Sequence, residues 1–434
     1  MASVRSFETT LGLIPRQGKT LLNIVFLTHY FPPEGNAPAS RTYAHCKRWV
    51  AAGNDVTVIT SAPNVPNGIV YDGYKNRLWP QHEVVDGINV YRVWTYVAAN
   101  SGGTKRILNY VSYLFSAVLC FLFFCRRPQL LVATSPQFFC GCAGSICSWL
   151  KWCPFLLEIR DIWPESIVTV GALKKNSLLV RILERLEKWM YRSANHIVTV
   201  GKGYRENVLS KVDIGDRISV VTNGVDLDVF SPQEPSAEFR QQHGLSDHFV
   251  CSYVGTIGMA HGLSVVVRAA KILKSMKRND VMFCLVGDGA QREQIKKDAI
   301  ESNVNDMIRF TGRLPKSDMP MVLASSDCLL VHLKKTDLFA TVIPSKIFEA
   351  MAMERPLVMG VQGESADIVK DSGAGIAMES DNAQQLVDAV LALKEDHELR
   401  NRLCANGRQF VGQHYTRDSL ANKMLDVMKR ITNG

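Results

Sequence analysis

Ile343-Pro344-Ser345-Lys346-Ile347-Phe348-Glu349-Ala350-Met351-Ala352-Met353-Glu354-Arg355-Pro356-Leu357-Val358-Met359 reads as one short helix running into one buried strand. Pro344 disfavours helix in the residue before it, Ser345 is a good cap, and strong helix formers follow, so the helix is predicted to start there. Its first turn offers unpaired backbone N–H groups and a partial positive charge, to which Lys346 adds a full one, a suitable setting for phosphate. Glu349 comes one residue too late to close a capping box with Ser345. Two readings stand for it: a carboxylate free to accept hydrogen bonds from ribose hydroxyls, or a solvated residue favoured near a helix start.

The same unit recurs along the chain. Leu21–Leu27, Asp55–Thr60, Gly87–Val93, Gln129–Thr134, Phe155–Ile159, His196–Val200 and Ile218–Val221 are short apolar or β-branched runs separated by helical segments. Phe249–Val254, Val281–Val286, Ile308–Leu314 and Cys328–Leu333 continue the pattern beyond a Pro-containing stretch, Ser231–Asp247, read as a linker with a short helix. Strand–helix alternation is the signature of doubly wound α/β domains, and 434 residues is too long for one core. The division expected is a loose extension over 1–20, one Rossmann-like domain over 21–230, and a second over 231–414. The last helix, within 415–434, is expected to cross back onto the first domain.

Net charge is +9, moderate rather than the dense basic run of a nucleic-acid arm, and it suits anionic substrates or membrane surfaces. Eleven cysteines, many inside apolar segments, read as buried thiols of a reducing compartment rather than a disulfide framework or zinc site. Ile107–Cys125 is nineteen residues without a charge, bracketed by Lys105-Arg106 and Arg126-Arg127. It is long enough to span a bilayer, but a span would separate strands needed in one sheet. A buried crossover helix normally keeps a polar stripe. A monotopic helix inserted in one anionic leaflet is the favoured reading of the three.

Several loops follow strand ends, where open α/β sheets bind ligands. Phe31-Pro32-Pro33-Glu34-Gly35 turns into a helix near Pro38. Arg160-Asp161-Ile162-Trp163-Pro164-Glu165 offers a carboxylate for sugar hydroxyls or an acceptor proton, or else an Arg–Asp pair that holds a loop. Asn223-Gly224-Val225-Asp226 ends the first domain in a turn. Gly255 and Gly258 precede a helix and can cradle phosphate, a weak signal alone, whereas Gly287-Asp288-Gly289 reads as a structural turn.

Taken in order, these pieces resemble the retaining GT-B glycosyltransferases of family 4, closest to the bacterial cell-surface polysaccharide branch (O-antigen, capsule, exopolysaccharide) with its Pro-Ser-Lys-x-x-Glu helix. The resemblance runs from about Leu21 to the C-terminus and implies two Rossmann-like domains facing across a cleft. It implies a UDP-sugar, carrying a hexosamine or related N-acetyl sugar, held mainly by the second domain through Gly255, Gly258, His261, Arg313, Thr341, Ile343, Ser345, Lys346 and Glu349, with Gly35 and Asn223 reaching the donor from the first. Asp161, Lys346 and Glu349 would be the catalytic set, with His29, Glu34, Arg41, Arg160 and Trp163 on the acceptor side. No cofactor or metal is implied, because no Asp-x-Asp pair is placed to carry one. The partners implied are a polyprenyl-diphosphate-linked saccharide and an anionic membrane surface met by Ile107–Cys125, with no nucleic acid, at the cytoplasmic face of the inner membrane.

Two departures qualify this expectation. The Arg and Lys that clamp the diphosphate in most of the family are replaced here by Thr256 or Ile257 and by His261, so Lys346, Lys334, Lys335 or Arg41 must supply charge. The Glu usually found eight positions before Glu349 is Thr341. A GT-B nucleotide-sugar epimerase and a catalytically silent UDP-sugar-binding subunit are the alternatives.

Overall fold

A computed structural model of the chain describes residues 21–98, 103–135, 137–169, 174 and 177–433; the extension expected over 1–20 lies outside them. The first sheet holds eight strands: β1 (Asn23–Leu27), β2 (Asp55–Ser61), β3 (Gln81–Val85), β4 (Ile88–Val93), β5 (Leu130–Ser135), β6 (Phe155–Ile159), β7 (His196–Thr199) and β8 (Ile218–Val220). Their order is β3-β4-β2-β1-β5-β6-β7-β8, and all neighbours are parallel except β3, antiparallel to β4. The second sheet holds β9 (Phe249–Val254), β10 (Val281–Val286), β11 (Ile308–Gly312), β12 (Cys328–His332), β13 (Leu357–Gly360) and β14 (Gly375–Ala377), ordered β11-β10-β9-β12-β13-β14.

Each order reverses once, between β1 and β5 and between β9 and β12, and the crevice outside the carboxyl ends of the strands at such a point is where doubly wound sheets take ligands. The central strands are buried along nearly their whole length because helices cover both faces. Each fully buried Val, Leu, Ile or Phe contributes ~1.5–3 kcal/mol relative to exposure.

One residue breaks the apolar pattern of β6. Glu158 is buried, and burial alone would push its carboxyl up. Arg41, Arg160 and His45 outweigh that and hold it down to about 2. Arg41 Nε donates to Glu158 Oε1 at 2.9 Å and Thr134 Oγ1 donates to Oε2 at 2.7 Å. The other guanidinium nitrogens of Arg41 donate to the carbonyls of Val221 (2.9 Å) and Thr222 (2.5 Å), so helix Ala37–Ala51 is tied to β6 and to the exit of β8.

The chain crosses between the sheets twice. After β8 it passes through Val225 into helix Ala237–Gln242, and it returns through Thr416 into helix Arg417–Asn433. The two crossings pair: Val225 N donates to the Tyr415 carbonyl, and Arg417 N donates to that of Val225, both at 2.9 Å. The returning helix lies on helix Ala37–Ala51, where Trp49 Nε1 donates to the Ala421 carbonyl and Arg48 pairs with Asp418 and Asp226.

All but the last residue of the uncharged stretch 107–125 lies in helix Gly103–Phe124, which is long and apolar enough to cross a bilayer. Its inner row, Tyr110, Tyr113, Ala117, Cys120 and Phe121, recurs at helical spacing and is buried against the first sheet. A spanning arrangement would tear that row from the core. The polar stripe expected of a crossover helix is replaced by exposed Leu108, Phe115, Leu119 and Phe123.

Arg41→Met leaves Glu158 buried against fewer cations. Urea unfolding is expected to show the first domain destabilised by ~3–5 kcal/mol.

Candidate active site

Lys346 and Glu349 stand three residues apart on helix Lys346–Ala352, whose Ile347, Phe348, Ala350, Met351 and Ala352 are buried. Burying those five leaves the two charged side chains on one remaining face. The cap expected of Ser345 is not formed. Its backbone is already helical, because the turn is closed one step earlier by Ile347 N donating to the Pro344 carbonyl and Phe348 N to that of Ser345. The Ser345 side chain makes no capping bond.

The open face looks into a cleft of about 780 Å³ between the ligand-binding edges of the two sheets. From the first domain Gly35, Arg41 and Asn223 reach it; from the second come Gly255, His261, Arg313 and Ser345 with Lys346 and Glu349. Nine of the expected site residues therefore share this one cavity. Two cations that the sequence did not single out join them. Lys316 follows β11, and Arg417 arrives with the returning helix. No local sequence pattern announces Arg417, because only the long-range return of the chain places it there.

The ammonium of Lys346 sits 3.8 Å from the centroid of the Tyr253 ring, and Tyr253 is fixed by donating its hydroxyl to the Thr256 carbonyl at 2.7 Å. Gly255 lies just above, at φ +140°, and a Cβ there would come within 2.9 Å of Lys346 Nζ. A Cβ on Gly287, at φ +136°, would in turn fall 1.9 Å from the Gly255 carbonyl, so two glycines let this loop approach the lysine. Desolvation pushes Lys346 down to about 7, opposed by Glu349. Burial pushes the Glu349 carboxyl up, while Lys316, Arg417 and Lys346 pull it back. His261 is pushed down to about 4 by burial and by Lys346, so it is neutral near pH 7, and its Nδ1 has no partner. A lining with four cations, Arg313, Lys316, Lys346 and Arg417, against the single carboxylate Glu349 suits a doubly charged phosphate group. Arg41 also lines the cleft, but its donors are spent on Glu158 and on the Val221 and Thr222 carbonyls just past β8.

The remaining expected residues lie outside that lining. Gly258 accepts from His261 N and shapes the loop. Thr341 and Ile343 face the start of helix Lys202–Lys211, where Gly201 and Gly203 give them room. Beside them Glu364 Oε2 accepts from Lys202 N (2.7 Å) and Gly203 N (3.3 Å), capping a helix of the opposite domain. Lys334 and Lys335 are absent from the lining too.

On the acceptor side, Asp161 Oδ2 accepts from Trp163 Nε1 at 3.2 Å, and burial raises its carboxyl against the pull of Ser166 and other donors. His29 is buried among the rings of Tyr30, Tyr110 and Tyr113 and held near 3, hence neutral. Arg106, from the first turns of the apolar helix, donates Nε to the Tyr110 hydroxyl at 2.6 Å. Glu34 uses Oε1 to accept from Asn64 N and Val65 N. Arg160 belongs to the Glu158 cluster, where desolvation lowers it to about 10. Among the described residues no group of three His, Cys, Asp or Glu side chains is arranged to hold a metal ion.

Residues 25–246 match the glycosyl transferase 4-like domain, and residues 235–410 match the glycosyl transferases group 1 family. The chain belongs to the glycosyl transferase 4-like family. Its two facing Rossmann-like domains are the GT-B fold. Among curated relatives, the probable glycosyltransferase WbjE of Pseudomonas aeruginosa is 30% identical over 254 residues, 57% of this chain and 60% of that protein. Alpha-D-kanosaminyltransferase of Streptomyces kanamyceticus is 25% identical over 195 residues, 45% and 49% of the two chains. The matches thus span about half to three fifths of these relatives. Among solved structures, sucrose-phosphate synthase from Thermosynechococcus elongatus superposes with TM-score 0.71 at 16% identity, covering 94% of this chain and 98% of that one. HepE of Anabaena in complex with UDP-glucose gives 0.69 at 16% identity, over 94% and 100%. At such identities the likeness is one of fold.

Two outcomes follow from the charges. Lys346 titrates near 7 when free, and a bound diphosphate favours its ammonium, so binding takes up a proton. Calorimetry should show the Kd for UDP rising as pH climbs above about 7, by up to about tenfold per unit, and Lys346→Arg should flatten that slope. Arg417→Ala should weaken UDP binding about ten- to a hundredfold, the scale of one charge-assisted hydrogen bond.

Proposed function

We propose that the protein is a retaining, metal-independent glycosyltransferase. It moves a sugar, a hexosamine or related N-acetyl sugar, from a UDP-sugar to a polyprenyl-diphosphate-linked saccharide in bacterial surface-polysaccharide synthesis, at the cytoplasmic face of the inner membrane. The observation that carries this reading is the cationic cleft around Lys346, lined from both domains and opposed by one carboxylate. The 30% identity to WbjE and the UDP-glucose held by the HepE neighbour lend support. So does the exposed apolar row of helix Gly103–Phe124, which a soluble acceptor would not require.

In this mechanism Lys346, Arg313, Lys316 and Arg417 meet the charge that develops on the leaving diphosphate, the task other enzymes give to a metal ion. Glu349 orients the ribose, and Asp161, beyond the cleft lining, serves the acceptor side. The acceptor oxygen forms its bond to the anomeric carbon on the face from which the phosphate departs. The bond from that carbon to the phosphate oxygen breaks, and the acceptor proton passes to the leaving phosphate. Thr341 makes no carboxylate available, so the cations carry the step without it.

The test is UDP release from a panel of UDP-sugars, with and without membrane extract from a polysaccharide-producing bacterium. Acceptor-dependent release, cut roughly a hundredfold or more in both Lys346→Ala and Glu349→Ala, is expected. Release that both variants leave unchanged, or tight UDP binding without turnover of any donor, would overturn the transferase in favour of a silent binding subunit.

A further inference from the structure

Helix Leu178–Ser193 carries apolar side chains on both sides. Val180, Leu183, Met190 and Tyr191 are buried on the inner side, yet Leu178, Leu179, Ile182 and Trp189 are exposed on the outside, Leu178 at 74%. At 100° per residue Leu178, Ile182 and Trp189 fall in one row, within roughly 40° of each other. Arg181, Arg185, Lys188 and Arg192 form a second row directly beside it, all exposed. An apolar stripe alongside a basic one is the pattern of a helix lying in a lipid interface.

This helix is not alone on its face. Its inner residues share one buried cluster with those of helix Phe138–Lys151 and helix Gly103–Phe124, so the three lie side by side on the same side of the sheet. The middle helix ends in Trp149 and Trp152, exposed at 71% and 77%. The first helix contributes its outer row, which with Trp79 and Trp94 walls an apolar groove of about 920 Å³. Exposed Lys105, Arg106, Arg126 and Arg127 sit at the two ends of that helix. Tryptophans at the rim of an apolar surface, with arginine and lysine outside it, match the boundary between acyl chains and anionic headgroups. The opposite side of the sheet is covered by helices Ala37–Ala51 and Arg417–Asn433.

From this arrangement we infer that the bilayer contact extends beyond the apolar helix: helix Leu178–Ser193 and the Trp149–Trp152 turn are further insertion elements, and the first domain lies with this whole face on an anionic leaflet. The inference rests on the membrane attachment proposed above and deepens it. A second copy of the chain fits less well, because a two-fold contact through this face would set the basic rows against each other. Helix Gly103–Phe124 leads from β4 into β5, and helix Leu178–Ser193, after β6 and the short helix Glu165–Thr169, leads into β7, so both run from the ligand-binding edge of the sheet back to its other edge. The cleft therefore opens along the leaflet, and a lipid-linked acceptor reaches it sideways without leaving the membrane.

The experiment uses the full chain with vesicles of phosphatidylcholine, with and without phosphatidylglycerol. It reads flotation and the quenching of tryptophan fluorescence by brominated acyl chains. Ile182→Glu with Trp189→Glu should reduce flotation with anionic vesicles by about tenfold or more. Trp149→Phe with Trp152→Phe should remove part of the bromolipid quenching. UDP affinity should be unchanged in both, which reports an intact fold. Flotation lost with Phe115→Glu and Phe123→Glu but kept by Ile182→Glu with Trp189→Glu would overturn this inference and leave the membrane attachment standing. No flotation of the wild type would overturn both. A dimer in sedimentation that Ile182→Glu with Trp189→Glu dissolves, with no change in flotation, would assign the face to a second copy instead.

Discussion

The buried pair of Glu158 and Arg41 is the joint on which the first domain and the hinge both depend. A carboxylate in the middle of the apolar strand Phe155–Ile159 is costly unless matched, and Arg41 matches it while donating to Val221 and Thr222. One side chain thus fixes the helix after the first loop, a central strand and the point where the chain leaves for the second domain. The position of Gly35 and Asn223 in the cleft is set by that joint. Arg41 stands at the site's rim, but its work is to hold the rim.

The second domain solves the complementary problem, bringing a cation to a desolvated place. Lys346 is kept there by the face of Tyr253 and by two glycines that let backbone pass close to its ammonium. Its depressed affinity for a proton stores free energy that an incoming anion releases, and Glu349 prevents the depression from going further. An arginine in the glycine-rich loop would meet a phosphate unconditionally; this arrangement makes the charge depend on occupancy.

Much of this was legible because parallel strands covered on both faces read as short apolar runs, and because Lys346 and Glu349 are spaced to share a helix face. The edge strand β3 escaped notice since its residues, Gln81-His82-Glu83-Val84-Val85, alternate toward solvent and look like loop. Arg417 and Lys316 were invisible for a different reason: their place in the cleft comes from tertiary return, not from neighbours in sequence. Ser345 illustrates a local limit, since a good capping residue forms no cap once the preceding proline has already entered the turn. The apolar helix announced its oddity in sequence, but only packing shows which row is core and which is bare.

The two crossings between the domains, at Val225 and Thr416, run side by side and exchange backbone hydrogen bonds. The two strands of the connection are thus held to one another, and neither can slide past the other without breaking those bonds. Arg417 is the first residue past Thr416 on the return. The strand that joins the domains thus also carries one of the cleft's cations to its place.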